Sequence, residues 1–373
     1  MKTLIRLDLN VPIKNGNITD HSRITNYTSS MQELASKGNK ICIITHLGRP
    51  KNHDPKLSTK NLIPDLEKAW KRNIIFVPIY DPVLINQQLE NLKDNQILLL
   101  ENTRYFEFEK NNDLKIAKKI ASCFDRFIFD AFSTAHRKHM STNAIAKYLP
   151  SSLGSTCKYE IKNLQETLNA EKPLIIMGGA KAQTKLTLIE TFLKNCSNIL
   201  VGGVLANTFL KAQGFNIQKS KYEPELIKFC KTLLQSPNSY KIILPFDFLS
   251  CKNLNDTNYR TTEILSQNEI IADIGPKSTQ KFKEIIEKSN TVIFNGPLGY
   301  IENTNFSKNS IKILKEISKT EKSYLGGGDT LKLIKLAKLA NKNFSFVSMA
   351  GGAMLEFLAN NGDLEVINEI TKK

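Results

Sequence analysis

Short apolar runs that alternate with amphipathic segments recur along the whole 373-residue sequence. Each run is long enough for one strand, and the segments between the runs carry apolar residues at helical spacing. Examples are Leu114, Ala117 and Ala121 in the first half, and Leu333 and Ala337 in the second. This alternation is typical of βαβ units and predicts parallel sheets covered by helices. The length is sufficient for two such domains, so the predicted fold class is α/β.

The residues that follow the apolar runs change character between the two halves of the chain. In the first half they are Asp, Asn, His and Arg, in TLIRLDLN, ICIITHLGR, ILLLENTR and FIFDAFSTAHR. In the second half they are glycines with a lysine or an acid, in LIIMGGAK, ILVGG, VIFNGP, YLGGGDT and FSFVSMAGGA. Ligands of open parallel sheets bind outside the carboxyl ends of the strands. The sequence therefore predicts two sheets that hold different anions, which indicates group transfer between them.

The charge balance also favours anionic ligands, since 52 Lys and Arg residues against 36 Asp and Glu residues give a net charge of +16. Phosphometabolites, nucleic acid and a membrane surface are the candidate classes. A nucleic-acid-binding protein would show a basic stripe with interleaved aromatic residues, whereas here the arginines collect at strand ends. No apolar run reaches the ~20 residues that span a bilayer, and TLIRLDLN lacks the order of a signal peptide.

The six cysteines are widely spaced and form no Cys-x-x-Cys pair, which excludes a zinc ribbon and favours reduced thiols. These features together predict a soluble, cytoplasmic protein without a membrane partner.

A change of character near residues 150–172 predicts the boundary between the domains. Ile161, Leu164 and Leu168 share one face of a predicted helix that Pro173 ends. All five histidines precede this helix, and all the multi-glycine loops follow it. We therefore expect a domain at 1–155, an interdomain helix at 156–172 that permits hinge motion, and a second domain at 173–358.

Several charged residues at the predicted strand ends of the first half are candidates for binding a small polyanion. They are Asp8, Asn10, Arg23, His46, Arg49, Arg104 and Arg137. Arginine forms bidentate, charge-assisted bonds to carboxylate and phosphate groups. A single arginine after a strand is most often a surface ion-pair partner, but four strand ends that supply Arg or His together favour a site.

In the second half, Lys181 and Lys185 lie four residues apart at a helix start, where phosphate is favoured by the helix dipole and by backbone N–H groups. The segment is not a Walker A loop, which disfavours a generic P-loop NTPase. Asp329 is predicted either as a helix N-cap or as a ligand to nucleotide-bound Mg²⁺. Glu302, after the Asn295–Gly296 turn, is a candidate to hold ribose hydroxyls.

These residues and their surroundings carry a resemblance to a known family. The matching segments are RLDLNVP, SRI, THLGRP, LLLENTRYFEFE, FDAFSTAHR, GGAKAQTKL, GGVLANTFLKAQG, DIGPKS, FNGPLGYIE, GGGDT and SMAGGAMLEFL. In order and spacing they resemble phosphoglycerate kinases, most closely the bacterial form, along essentially the whole chain. The resemblance implies two Rossmann-like three-layer domains and a tail, residues 359–373, that returns to the first. It also implies reversible phosphoryl transfer from 1,3-bisphosphoglycerate to Mg-ADP, giving 3-phosphoglycerate and ATP, by a monomer.

The resemblance further implies a role for individual residues. The phosphoglycerate would contact Asp8, Leu9, Asn10, Arg23, His46, Leu47, Gly48, Arg49, Arg104 and Arg137. The nucleotide would contact Lys181, Lys185, Glu302, Gly327, Gly328, Asp329 and Thr330, with Asp329 at the Mg²⁺ ion. Arg23, Lys185, Gly351 and Gly352 would act on the transferring phosphoryl group.

Three positions depart from the family pattern: Ser133, where glycine is common, and Met349 and Ala350 in the last glycine loop. A Cβ in that loop would hinder a close approach of backbone to phosphate, so reduced turnover is one expectation. A weakened relative that serves as a binding protein, a side role in nucleic-acid binding, and another acyl-phosphate kinase are the alternatives.

Overall fold

The computed structural model describes residues 1–180 and 182–372. The chain divides into two compact units. The first unit consists of Met1–Lys162 together with the chain from Asp363 onward, and the second unit is Asn163–Gly362. The first unit is thus assembled from two separate stretches of sequence.

The first unit is built on a six-stranded parallel sheet in the order β5-β6-β4-β1-β7-β8, with a small antiparallel hairpin, β2-β3, beside it. The strands are β1 (Lys2–Leu7), β2 (Ile13–Lys14), β3 (Asn17–Ile18), β4 (Lys40–Ile44), β5 (Asn73–Val77), β6 (Gln96–Leu100), β7 (Arg126–Asp130) and β8 (Ser151–Leu153). β1 is central, because Arg6 pairs with Ile44 of β4 on one side and with Phe129 of β7 on the other.

Helices cover this sheet and bury its apolar residues. They are α1 (Ser22–Thr25), α2 (Thr28–Ser36), α3 (Ile63–Trp70), α4 (Pro82–Asn91), α5 (Glu107–Lys110) and α6 (Leu114–Ala121). Met31 of α2 and the only tryptophan, Trp70 of α3, pack into one core cluster with Ile5 and Ile43 of the sheet. The spacing that predicted a helix at 114–121 is confirmed by α6, whose Ala117 and neighbours are buried.

The second unit repeats this plan with a six-stranded parallel sheet in the order β11-β10-β9-β15-β16-β17. Its strands are β9 (Leu174–Met177), β10 (Ile199–Val201), β11 (Ile242–Ile243), β15 (Thr291–Asn295), β16 (Lys322–Gly326) and β17 (Phe346–Ser348). A separate antiparallel sheet, β13-β12-β14, is formed by β12 (Phe248–Cys251), β13 (Arg260–Thr262) and β14 (Ile270–Ile274).

The remaining helices lie between these strands, with α7 between β8 and β9, except α14 and α15, which follow the last strand, β17. They are α7 (Ser155–Leu168), α8 (Ala182–Leu193), α9 (Gly203–Ala212), α10 (Ile227–Leu234), α11 (Pro276–Glu287), α12 (Thr304–Ile317), α13 (Gly328–Leu336), α14 (Gly352–Ala359) and α15 (Glu365–Thr371). Phe282, Ile313 and Leu333 from three of these helices share the main core cluster with Phe294 of β15. The helix expected at 156–172 runs from Ser155 to Leu168, and the division between the units falls within it.

In the first sheet the chain leaves β1 toward β4 and later continues from β7 toward β8 on the other side; in the second sheet it leaves β9 toward β10 and later continues from β15 toward β16. Crevices at the carboxyl edge are expected where such connections diverge, which is between β1 and β7 in the first unit and between β9 and β15 in the second. The α/β fold class with parallel sheets is confirmed. Among the described residues, no helix is both long and apolar enough to cross a membrane.

Candidate active site

Asp8 lies at the end of β1, at the crevice of the first sheet, and its carboxylate is held by three neighbours. Arg23 Nη1 forms an ion pair with Asp8 Oδ2, and the Ser133 hydroxyl donates to the same oxygen. The backbone N–H of Asn10 donates to Asp8 Oδ1 at 3.2 Å. Asp8 is buried, so these bonds fix its orientation. A carboxylate from the end of β1, a guanidinium group from α1 and a hydroxyl group from the turn after β7 are thereby gathered at one point.

The loop after β4 is tied to the loops after β1 and β6. Gly48 N–H donates to Asn10 Oδ1 at 2.7 Å, and Arg104 Nη1 donates to the carbonyl oxygen of Gly48 at 2.7 Å. Gly48 has a φ of +63°, which side-chain-bearing residues rarely adopt. The side chains of Leu9 and Leu47 are fully buried in the core, so only their backbones face the loops.

The arginines of this edge crowd one another. Burial, and then the charges of Arg137, Arg6 and Arg49, lower the pKa of Arg104 to about 10. Burial also lowers the pKa of Arg23. These guanidinium groups repel one another, and Asp8 is the carboxylate that pairs with Arg23. An anion would therefore stabilise the site. Arg49 is exposed and is the outermost of the group.

Two histidines lie among these arginines, and both are held in the uncharged state. His46 Nδ1 lies 3.0 Å from Arg6 Nη2, and His136 Nε2 accepts from Arg137 Nε at 3.0 Å. Burial, followed by the charge of Arg6, lowers the pKa of His46 well below its usual range. Burial, followed by the charge of Arg137, lowers the pKa of His136 to about 4. The positive charge of the site therefore comes from arginine alone at neutral pH.

Lys185, in the second turn of α8, turns its ammonium group back to the crevice of the second sheet. Its Nζ donates to the carbonyl oxygen of Gly178 and, at 3.0 Å, to that of Ala180. Only 6% of its surface is exposed. Gly178 packs so closely that a Cβ there would lie 2.0 Å from the Pro297 carbonyl oxygen. Lys181, the other predicted cation, lies outside the described residues.

The glycine loop after β16 is fixed to the turn after β15 by one hydroxyl group. Thr330 Oγ1 donates to the Gly326 carbonyl oxygen at 2.7 Å and accepts from Gly296 N–H at 2.9 Å. Gly327, with a φ of +103°, is the N-cap of α13, and a Cβ on Gly328 would meet nothing within 4 Å. The start of α13 is therefore open to a ligand, and its dipole favours an anion.

The prediction that Asp329 caps this helix is wrong. α13 begins one residue earlier, at Gly328, and no side chain caps it. Asp329 lies in the first turn instead, half exposed, and pairs with Lys332 at 2.9 Å. Asp329 follows the N-cap and so has helical backbone angles. Its carboxylate therefore projects outward instead of accepting from the first N–H groups of the helix.

A cavity of about 430 Å³ joins these features in the second unit. It is lined by residues of the loops after β9, β15 and β16, among them Gly179, Pro297, Glu302 and Asp329. No group of three potential metal ligands occurs among the described residues. A lone carboxylate such as Asp329 does suit Mg²⁺, which prefers one or two carboxylates together with nucleotide phosphates.

The last glycine loop lies next to the loop after β16. Gly351 has a φ of +49°, and a Cβ on it would lie 3.9 Å from Gly327 Cα. Gly352 is exposed and begins α14. Ala350 is buried, and its N–H donates to Ser348 Oγ at 3.1 Å. The two glycine loops thus present two helix starts at the same sheet edge.

Arg6, His136 and Ser133 contribute to the first sheet edge but were not among the predicted site residues. Arg6 lies within β1 and contacts His46. Ser133 was noted only as a departure from a family pattern, yet it contacts Asp8. The period-two alternation of a strand does place Arg6 on the same face as Asp8, which is the signal that could have identified it. No comparable signal exists for Ser133, which lies in a short 3₁₀ turn.

Guanidinium groups crowded at one sheet edge, and glycine loops with a lysine at another, define an α/β kinase that acts on a small anionic substrate. Residues 1–361 match the family model described as phosphoglycerate kinase. The chain belongs to the phosphoglycerate kinase family. Its activity is therefore the glycolytic phosphoryl transfer between 1,3-bisphosphoglycerate and ADP.

Individual relatives agree along their whole lengths. The phosphoglycerate kinase of Helicobacter pylori is 38% identical over 368 residues, which are 96% of this chain and 91% of that protein. The solved structure of phosphoglycerate kinase from Coxiella burnetii is similar with a TM-score of 0.85 and 32% identity, covering 100% of this chain and 96% of the other. That from Pyrococcus horikoshii gives a TM-score of 0.86 at 26% identity, covering 99% and 95%.

Proposed function

We propose that the two units divide the substrates of this reaction between them. The first unit binds 3-phosphoglycerate or 1,3-bisphosphoglycerate, and the second unit binds ADP or ATP. The observation that carries the proposal is the crowding of arginines at the first sheet edge, where burial and the charges of Arg137, Arg6 and Arg49 lower the pKa of Arg104 to about 10. A phosphorylated acid brings both a phosphate and a carboxylate to those guanidinium groups.

In the first unit, Arg49, Arg104 and Arg137 neutralise the phosphate of the bound acid. Asp8 and Asn10 accept a hydrogen bond from the hydroxyl group of the glycerate. A ligand that consisted of phosphate alone would not need these acceptors. The bond from Gly48 N–H to Asn10 Oδ1 orients the Asn10 side chain. The backbones of Leu9 and Leu47 form the neighbouring parts of the same two loops. His46 donates to the ligand as a neutral imidazole.

In the second unit, the open start of α13 at Gly327, Gly328 and Thr330 receives the nucleotide phosphates. Glu302, which lines the cavity, binds the ribose hydroxyls. Lys181 and Lys185 supply the positive charge. Asp329 would hold Mg²⁺, which enters with the nucleotide and neutralises its phosphate oxygens.

The transfer itself needs alignment and neutralisation of charge more than it needs a general base. The accepting oxygen belongs to an ionised carboxylate or phosphate, so no proton has to be removed. Arg23 steadies the transferring phosphoryl group from the first unit, and Lys185 with the α14 start at Gly351 and Gly352 does so from the second. The two substrates have to meet, so we propose that hinge closure brings them together and excludes water from the acyl phosphate.

A coupled assay tests the proposal: purified protein with ATP and 3-phosphoglycerate should produce 1,3-bisphosphoglycerate, which a dehydrogenase and NADH then report. No ATP-dependent consumption of 3-phosphoglycerate would contradict it and favour a relative that only binds its ligands. A salt-sensitive gel shift with nucleic acid would instead support a binding role for the net charge of +16.

We also propose a monomer of the cytoplasm. Six cysteines without a disulfide, all buried, agree with a reducing compartment. Light scattering after gel filtration tests the oligomeric state, and a mass near 84 kDa rather than near 42 kDa (roughly twice the chain mass of 42.1 kDa) would contradict a monomer.

A further inference from the structure

We propose that Arg6, inside β1, is a positioning residue that fixes His46 as the Nε2–H tautomer, so that His46 offers the phosphoglycerate ligand an uncharged N–H donor. The proposal rests on the placement of phosphoglycerate in the first unit. It assigns a function to a buried arginine that has no contact with ligand of its own.

The chemistry of the two side chains determines the tautomer. A guanidinium group has five N–H donors and no acceptor. Arg6 Nη2 lies 3.0 Å from His46 Nδ1, so Nδ1 is the acceptor of this bond and carries no proton. A neutral imidazole then carries its proton on Nε2. Among the described residues, no hydrogen bond to His46 Nε2 is found, which leaves that N–H for a ligand.

Arg6 is itself held by a buried chain of hydrogen bonds. Only 1% of its surface is exposed. Its Nε donates to Ser141 Oγ at 3.0 Å, and its Nη1 donates to the carbonyl oxygen of Leu7. Ser141 in turn donates to Glu109, by its hydroxyl at 2.7 Å and by its backbone N–H at 2.9 Å. Because Glu109 is fully buried, its charge compensates Arg6 from the side away from His46.

The surroundings of His46 oppose a second proton. The charged groups that act on it are Arg6 from β1, Arg104 after β6, Arg23 from α1 and Arg137 after β7. An imidazolium would add a further cation to this group in a buried position. His136 shows the converse arrangement, since it accepts from Arg137 Nε at Nε2 and therefore carries its proton on Nδ1. Arginines thus hold both histidines as neutral donors.

This arrangement has a measurable consequence for binding. A charged histidine would contribute an affinity that declines as the pH rises through about 6.5. A neutral Nε2–H donor contributes the same hydrogen bond from pH 6 to pH 8.5. The remaining pH dependence of the affinity comes from ionisation of the ligand phosphate, so it is the same for every variant of the protein.

Nitrogen-15 NMR of the histidine rings in the ligand-free protein tests the tautomer directly. The His46 signals, assigned by their loss in His46→Gln, should show an unprotonated Nδ1 and a protonated Nε2 from pH 6 to pH 8.5. A signal that titrates near pH 6.5, or a dominant Nδ1–H form, would overturn the proposal. In Arg6→Met, which removes the donor to Nδ1, the Nδ1–H form should appear; if that variant does not fold, Ser141→Ala, which frees the Arg6 Nε, should show the same change to a smaller extent.

Two substitutions of His46 provide a matched pair for binding. Glutamine places an amide N–H near the position of Nε2, whereas asparagine places it near Nδ1. We expect His46→Gln to retain 3-phosphoglycerate affinity within a few-fold, and His46→Asn to lose about tenfold or more, the effect of one hydrogen bond to a charged group. Calorimetric titration measures both, and the ratio of wild-type to Gln dissociation constants should stay constant from pH 6 to pH 8.5.

The outcomes separate this inference from the proposed function. A ratio that changes with pH would overturn the neutral donor while 3-phosphoglycerate binding remains in place. Equal affinities of the wild type, the Gln variant and the Asn variant would overturn the inference by removing His46 from the ligand site. Failure of the wild type itself to bind 3-phosphoglycerate would instead contradict the placement of phosphoglycerate in the first unit.

Discussion

The two parallel sheets share one topology but hold anions by different means. At the first edge the charge lies on side chains, and burial together with neighbouring arginines lowers the pKa of Arg104. At the second edge the open start of α13 presents backbone N–H groups, and Lys185 lies near the turn at Gly296. Side-chain charge can be removed by one substitution, whereas backbone groups can be blocked only by added bulk. The same kind of change should therefore have different consequences in the two units.

Loss of Arg23 should have the largest effect. The variant Arg23→Ala removes a charge from the reacting phosphoryl group, and turnover should fall by about 10³-fold or more, as for other arginines that stabilise phosphoryl transfer. The coupled assay measures turnover, and calorimetry should find ADP binding nearly unchanged. Arg72→Ala is the control, because Arg72 precedes β5 at the opposite end of the sheet and bonds to Asp94 and Asn95. Equal losses of turnover and ADP affinity would place Arg23 elsewhere.

Loss of Lys185 should weaken the second unit selectively. We expect Lys185→Ala to raise the KM for ATP by about 100-fold, the effect of a charged hydrogen bond to phosphate, while 3-phosphoglycerate binding changes little. Lys194, which is exposed just after α8 ends, provides the control variant Lys194→Ala. An unchanged dependence of rate on ATP would count against Lys185 as a nucleotide ligand.

Two glycines of the second unit should separate folding from binding. In Gly178→Ala the new Cβ would stand 2.0 Å from a backbone oxygen, so the free energy of unfolding should fall by about 3 kcal/mol. In Gly328→Ala the Cβ meets no atom within 4 Å, and stability should stay within about 0.5 kcal/mol while the KM for ATP rises. Urea denaturation measures the first effect and steady-state kinetics the second. Wild-type stability of Gly178→Ala would contradict the prediction, because the loops around Gly178 would then have moved apart to accept the Cβ.

Mild acid should destabilise the first unit more than the second, because all five histidines lie in the first unit. The folded-state pKa of His136, about 4, lies below its unfolded value, so the unfolded chain takes up the proton first as pH falls. Stability is therefore complete above about pH 6.5 and declines toward pH 4, by about 1–2 kcal/mol for this partly exposed residue.

Trp70 makes that difference measurable, since it is the only tryptophan and lies in the core of the first unit. Its fluorescence should report an earlier urea midpoint at pH 5 than at pH 7, while hydrogen exchange of β9 and β15 changes less. The variant His136→Gln should reduce the shift. Equal acid sensitivity of both units would contradict the prediction.

Patterns of apolar periodicity were sufficient to predict the strands whose ends carry the candidate site, and the α/β class, but not the antiparallel sheet of β12, β13 and β14. Strand ends could be found for the same reason, because the carboxyl edge of a parallel sheet collects whatever residues follow each strand. Thus Asp8, His46 and Arg104 were predicted from position alone. The exact start of α13 was not, since Gly327, Gly328 and Asp329 are all acceptable near a helix N-terminus and the backbone angles decide among them.

Contacts between residues far apart in the sequence could not be predicted from such local patterns. The bond between Arg6 and His46 joins β1 to the loop after β4, and that between Ser133 and Asp8 spans 125 positions. Strand alternation places Arg6 on the same face as Asp8, but it does not show that Arg6 contacts His46, and no local pattern distinguishes Ser133. Only the packed sheet brings β1, β4 and β7 side by side and reveals that these side chains share a surface.

The split sequence of the first unit bears on how a nascent chain acquires its structure. α15 packs on β8 with Val366, Ile367 and Ile370 buried, and Glu365 pairs with Lys138 at 2.5 Å. The second unit, by contrast, is one uninterrupted stretch. α15 follows the whole second unit in the sequence, so the surface of β8 that it covers stays exposed on a nascent chain until residues 365–371 have been made. The second unit needs no segment from outside its own stretch, so the two units differ in how much of the chain must be made before each is complete.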